Sequence, residues 1–348
     1  MSVKYIELGK TVGCSLPLLE IFTIVDGFMQ EVEVLEYTIF DSQGVQVNLA
    51  QPAREVIDTT IDCPTGGRKG PGHYVATWTP PGTDKGTYTI NWYWKLTATD
   101  AEISFTDTFE VVAAGSVAEP LAPYYVSIDQ LRAEGVTATM ASDERCLTAI
   151  SMASRQAEMW TKRFFEPRAA TYHLKGSGSR ITFLDQPIIA INETRIEATP
   201  VLDDGDLGMV IDPTFYRVFN RHLSEGLTSP DDRNNPKLEM VHGRDIYGRS
   251  AFDDFKGVSL GAFIWPAGPQ TVRVAGVFGY TDNDGSLYGR TPQMFQYAIM
   301  QLAMRYLPKL TNYEGRADVM NQWKLVRSEE RRVGEEGICR GRMVEDGR

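Results

Sequence analysis

The sequence predicts an α+β chain in several parts: a β-sandwich over residues 1–112, a linker over 113–124, a domain of packed helices with a β-rich insertion over 125–325, and an irregular tail over 326–348. Three observations carry this reading. Short β-branched and aromatic runs separated by turn-formers fill the first 112 residues. Two amphipathic helix patterns follow, one after Ser142 and one after Thr291, with strand-like runs between them. Charge also changes near the linker: residues 1–120 hold 7 basic and 16 acidic side chains, a net of −9, whereas residues 121–325 hold 22 and 24, a net of −2.

In chain order, the predicted strands of the first part are Leu16–Leu18, Ile21–Ile24, Val32–Phe40, Tyr74–Trp78, Thr87–Leu96 and Ser104–Val112. Asp26-Gly27, Asp41-Ser42-Gln43-Gly44 and Pro80-Pro81-Gly82 are the turns between them. Successive strand residues point to opposite faces, so Tyr88, Ile90, Trp92, Trp94 and Leu96 share one face. Gly86-Thr87-Tyr88-Thr89-Ile90 followed by Asp107-Thr108-Phe109-Glu110-Val111-Val112 resembles the last strands of immunoglobulin-like modules, without the inter-sheet cysteine pair of antibody domains.

The stretch 113–124 is small, polar and proline-bearing, which suits a linker. Ser127 with Gln130 reads as a capping box and Gly135 as the left-handed residue that closes a two-turn helix. Ser142 is placed to cap a long helix whose first turn holds Asp143 and Glu144, acids that suit the positive end of the helix dipole. Its core stripe is Cys146, Ile150, Ala153, Ala157, Trp160 and Phe164, and Pro167 is expected to stop it.

Ala170–Leu174 and Arg180–Leu184 are expected to form a hairpin, and Ile188–Ile196, Phe215–Phe219, Leu238–Val241 and Thr271–Tyr280 to be further strands. The stretch from Leu223 to Gly261, dense in Gly, Asp, Asn and Pro, reads as a long loop or interaction surface. Thr291 then caps a last helix with Pro292 at its first position and Phe295, Ile299, Leu302 and Tyr306 on its apolar face, placed to pair with the stripe of the earlier helix.

Catalytic constellations are not visible. The four histidines, His73, His173, His222 and His242, stand far apart, and no Ser occupies a nucleophile elbow. Asp203-Asp204-Gly205-Asp206 and Asp282-Asn283-Asp284-Gly285 lack the spacing of calcium loops and read as turns. Catalytic residues, cofactors and metals are therefore not expected. The cysteines, Cys14, Cys63, Cys146 and Cys339, are scattered, and a disulfide framework is not expected either. No run reaches the roughly 18 apolar residues of a membrane span, and the first residues lack a signal-peptide core, so the chain is expected in a cytoplasm with no membrane partner.

Val126–Val136, Ser142–Arg145 and Trp160–Arg168, together with Gly279-Tyr280, Thr291-Pro292 and the helix to Tyr306, are similar to the head-tail connector (neck adaptor) proteins of tailed bacteriophages. The similarity spans roughly residues 125–310. It implies a structural virion protein, with no catalytic residues, that assembles under the portal protein as a homo-oligomeric ring, typically a dodecamer. Such a ring extends the DNA channel, touches passing DNA without specificity, and presents a surface to a stopper or tail protein. The implied location is the virion neck, reached from the host cytoplasm during assembly. Arg145, Arg155, Lys162 and Arg163 are then the expected portal or inter-subunit contacts, a solvated helix face being the plainer reading. Arg327–Gly334 resembles the translation of a sequencing adapter, which leaves the origin of the tail open.

A different class of function stays open beside this one. Trp78, Trp92 and Trp94 would suit a host-surface or glycan-binding virion protein if their rings lay on an exposed face of the sandwich. Buried between two sheets, they would make the sandwich a spacer.

Overall fold

A computed structural model describes residues 3–49, 53–81, 84–196, 209–219, 235–240, 264–282 and 286–310. The first half forms ten strands: β1 (Tyr5–Glu7), β2 (Glu20–Phe22), β3 (Ile24–Val25), β4 (Phe28–Met29), β5 (Val34–Phe40), β6 (Glu55–Val56), β7 (Arg68–Gly70), β8 (His73–Val75), β9 (Gly86–Lys95) and β10 (Ile103–Val112). One sheet has the order β1-β10-β9-β5-β6, with β1 parallel to β10 and the other neighbours antiparallel. A smaller sheet has the order β2-β8-β7.

The alternation along β9 puts Tyr88, Ile90, Trp92 and Trp94 into the core and leaves the residues between them toward solvent. On β10 the pairing opposite that face buries Phe105, Phe109 and Val111. Trp78, Trp92 and Trp94 are all buried, with Trp78 packed edge-on against Phe109. None of them offers an exposed ring for stacking on a sugar. Cys14 and Cys63 are bonded, against the expectation from their scatter. Their separation of 49 residues hides what folding does, which is to bring their Cα atoms to 5.7 Å.

The second half contains α1 (Ile128–Ala133), α2 (Asp143–Thr161), β11 (Arg168–Gly176), β12 (Ile181–Phe183), β13 (Ile188–Ile196), β14 (Met209–Val210), β15 (Tyr216–Phe219), β16 (Lys237–Met240), β17 (Gly268–Phe278) and α3 (Gln293–Leu310). Long antiparallel pairings join β11 to β17 and β17 to β13. That sheet continues into the first half, because Ile191 of β13 pairs with Phe28 of β4, and β14 adds to β13. A third core under it holds Ile188, Val274 and Phe278, and the sheet β12-β16-β15 brings Leu238 and Tyr216 to that core.

This architecture overturns the expected fold class. Among the described residues there are three α-helices, 17% helix against 38% strand, so residues 125–325 are not a connector domain of packed helices with a β insertion. The strong caps and stripes make the helices conspicuous in the sequence, whereas the frame is made by strands far apart in the chain. Nor does the first half close as a separate immunoglobulin-like sandwich, since Ile189, Ala190, Val277 and Tyr288 complete its core.

Local expectations fare unevenly. The Ser127–Gln130 capping box is formed, and Gly135 has φ +97°. Ser142 stands at the N-cap of α2, yet its side chain makes no capping hydrogen bond. That helix ends at Thr161, where Lys162 takes a left-handed conformation, five residues before Pro167. Trp160 therefore leaves the core stripe and is 67% exposed, while Phe164 lies beyond the helix and packs against the third core. β11 and β12 do not form a hairpin, for β11 pairs with β17 and β12 with β16. The expected linker is packed: Val117, Ala122 and Tyr124 are buried in the helical core, and the Val117 amide donates to Glu7 Oε1 at 2.7 Å. Of the calcium-like runs only Asp282, which bridges Arg290, is among the described residues, and most of Leu223–Gly261 lies outside them.

Candidate functional site

The segments that carried the sequence resemblance converge on one aromatic junction. The Phe165 ring stacks on Phe295 at 3.5 Å between centroids and leans on Tyr280 at 5.7 Å. Tyr125 meets Phe295 edge-on at 5.2 Å. Backbone bonds lock the same place, with the Tyr280 amide donating to the Phe164 carbonyl at 2.9 Å and the Thr291 hydroxyl donating to the Phe165 carbonyl at 2.9 Å. The Thr291 hydroxyl thus ties the start of α3 to the neighbouring segment, and the Gln296 amide donates to the Pro292 carbonyl in the first turn of α3. Gly279 is required here, because a Cβ on it would stand 2.2 Å from the Glu166 carbonyl oxygen.

A charged cluster flanks the rings. Arg168 pairs with Glu158 and, at 2.6 Å, with Glu166, while the Tyr125 hydroxyl donates to Glu158 and accepts from the Phe165 amide at 3.0 Å. Burial works against the Arg168 charge, but Glu166, Tyr125 and Glu158 together more than offset that, and its pKa lies above the ordinary guanidinium value. Burial, then the Glu166 charge, pushes the Tyr125 phenol well up, so it stays a neutral donor.

The junction fixes α2 against α3. Cys146, Ile150, Ala153 and Ala157 of α2 are buried with Ile299 of α3, and Phe295, Leu302 and Tyr306 pack partly buried against the same core. Small residues on α2 let the two helices approach closely. The opposite, outer face of the pair is different. It exposes Met152 (43%), Met159 (66%) and Trp160 (67%) on α2 and Met294 (88%) and Tyr297 (59%) near the start of α3. Because Phe165 just after α2 stacks on Phe295 in the first turn of α3, the C-terminal end of one helix and the N-terminal end of the other lie together, with these side chains around them.

Of the four basic residues singled out from sequence, Arg145 and Lys162 are exposed. Arg155 is also exposed and pairs with Glu119 at 2.6 Å. Arg163 lies 5.9 Å from the Tyr280 ring centroid. All four belong to α2 or its immediate end. Sequence reasoning missed the outward role of Met152, Met159, Met294 and Tyr297. A period-3.6 count that asked which apolar residues fall off the core stripe would have found them.

A cavity of about 210 Å³ lies between the first half, the 120–124 segment and Pro167, lined among others by Lys4, Glu20, Asp107, Leu121 and Tyr288. Its polar groups are already engaged, Lys4 with Asp107 at 3.6 Å and the Glu20 carboxylate with the His73 ring at 2.9 Å. The hydroxyl of Tyr288 bridges the Phe22 amide and carbonyl. Among the described residues no group of three His, Cys, Asp or Glu is placed to hold a metal, and no helix is long and apolar enough to cross a membrane. No protein-family model matches the chain, and no curated protein matches it significantly.

Proposed function

We propose that this chain is a structural virion protein of a tailed phage, which assembles as a homo-oligomeric ring under the portal protein, extends the DNA channel and receives a stopper or tail protein. The observation that carries the reading is the convergence of residues 125–168 with 279–306 on the Phe165–Phe295 junction. The segments that resemble neck adaptors thereby act as one unit, and that unit holds an apolar helix face toward solvent. Exposed Met, Trp and Tyr rimmed by Arg and Lys are the composition of a protein-contact surface rather than of a solvated helix. The net charge of −11 suits a wall along which DNA slides, since like charge discourages phosphate binding. The Cys14–Cys63 bond suits a particle that ends in oxidising surroundings.

Light scattering on the purified full chain, alone and with portal protein, tests this. Ring-sized masses in either sample support it. A monomer indifferent to portal removes it, and binding of the chain to host cells or glycans would then be the next measurement.

A further inference from the structure

Outward apolar side chains of α2 and α3 fall on lines that a further helix would cover. Met152 and Met159 stand about two turns apart on one line of α2, about 100° round from Trp160, and on α3 Met294, Tyr297 and Ala298 recur at helical spacing. All five are exposed. The Phe165–Phe295 stack holds Met159 and Met294 at the same end of the helix pair. Other exposed large hydrophobics among the described residues, such as Val56, Phe183 and Ile264, are scattered over other parts of the fold.

The chain itself supplies a segment of matching kind. α3 ends at Leu310, and the sequence continues through Thr311-Asn312-Tyr313-Glu314-Gly315 to Arg316–Val326, ahead of the adapter-like run that starts at Arg327. Within Arg316–Val326 the residues Val319, Trp323 and Val326 recur at i, i+4 and i+7 with Met320 beside them, while Asp318, Asn321 and Lys324 fall off that stripe. The pattern predicts an amphipathic helix, and Gly315 suits a turn before it. A helix so short is marginal in water without a surface on which to bury its stripe.

Reach and concentration single out the face on the same protomer. With 18 residues α3 is about 27 Å long, a helix over 316–326 would be about 16 Å, and the link 311–315 spans up to about 17 Å when extended. A segment that folds back at Leu310 therefore reaches any part of the outer face. Tethered in this way it meets that face at an effective concentration on the order of mM, ahead of a second copy.

We propose that residues 316–326 of this chain seat on the outer face of α2 and α3, with Val319, Met320, Trp323 and Val326 turned toward Met152, Met159, Met294 and Tyr297. Methionine suits such a seat, because its flexible thioether chain shapes itself to an incoming ring such as that of Trp323. The proposal stands apart from the ring reading: a face covered in the lone protomer serves a ring partner only after the segment has left it, and the portal experiment tests that separately.

Peroxide footprinting of the full chain is the test, because an accessible thioether is converted to the sulfoxide far faster than a covered one. Hydrogen peroxide is applied at a series of protein concentrations, and the rate at each methionine is read by peptide mass spectrometry. In the unaltered chain Met159 and Met294 are expected to oxidise about tenfold more slowly than in Val319→Asp/Trp323→Asp, since oxidation then runs only through the open fraction. The protection is expected to be the same at every protein concentration. Met29 and Met240, 8% and 3% exposed, should stay slow in both chains and report that the fold persists. Should they become fast in the double variant, Trp323→Ala is read in its place, with a smaller expected gain at Met159 and Met294. Equal rates in the unaltered chain and the variant overturn the proposal. Protection that appears only as protein concentration rises also overturns it, because a second copy is then the cover, and that outcome leaves the ring reading intact.

Discussion

Tryptophan is used in opposite ways at the two ends of the molecule. In the first half Trp92 and Trp94 are sealed between sheets, with exposures of 0% and 1%, whereas on α2 Trp160 stands 67% exposed one turn from a buried alanine. The first core uses its large rings on itself. The α2 side of the helical core is built from Cys146, Leu147, Ala149, Ile150, Ala153 and Ala157, while the Met and Trp side chains of α2 face outward. Large apolar side chains are thus fully buried on one side of this chain and left toward solvent on the other.

Substitutions in the two regions test this contrast. Trp92→Ala empties a site at the centre of the first core and is expected to cost about 3–5 kcal/mol, measured by urea unfolding. Replacing Cys14 and Cys63 by Ser frees the loop between them and should cost about 2–4 kcal/mol, a loss that the unaltered chain reproduces when unfolded with reductant present. Gly279→Ala drives a methyl group into the Glu166 carbonyl and is expected to cost about 1–3 kcal/mol, with a fall in melting temperature and loosening of the Phe165–Phe295 stack seen in near-ultraviolet dichroism. Trp160→Ala should change the stability of the protomer by no more than about 0.5 kcal/mol, the reverse of Trp92→Ala. A large loss at Trp160 would erase the contrast between the two regions.

The smallest effect concerns Glu110. Burial first, then the Asp129 charge, raises its pKa, while the Thr87 hydroxyl works the other way. A carboxylate raised on folding is a cost to the folded state while it is ionised, and that cost fades as pH falls through its folded pKa. Glu110→Gln, which still accepts from Thr87, is therefore expected to raise the melting temperature slightly at pH 7. The gain should vanish below the ordinary carboxylate range, where the native side chain is neutral in both states. Melting at both pH values measures it.

How far the sequence was legible follows from the range of each interaction. The strands β5, β9, β10, β13 and β17 and the starts of all three helices lie close to where the local signals place them, whereas the far ends of α2 and α3 do not. The alternation along Tyr88–Leu96 even assigns the buried face. What local signals do not carry is partner choice. Nothing near Ile191 announces that it pairs with Phe28, and nothing near Arg168 says that its strand lies beside β17 rather than in a hairpin. For the same reason the helices seemed to dominate a domain that is a sheet. Arg145 and Arg155 of α2 were legible as exposed, but Trp160 was placed on a stripe whose margin it only touches, and Phe164 on a helix that stops before it at the left-handed Lys162.

Tyr288 ties the beginning of the chain to its end: its ring packs edge-on against Phe22 and Phe105, and its hydroxyl bridges the backbone of Phe22. On a ribosome, which releases the N-terminal half first, that half emerges with a slot in its core and must wait for more than 160 further residues to fill it. The nascent chain is therefore expected to depend on chaperone shielding until Tyr288 has emerged, and premature termination before Tyr288 would leave an open core rather than a smaller folded protein.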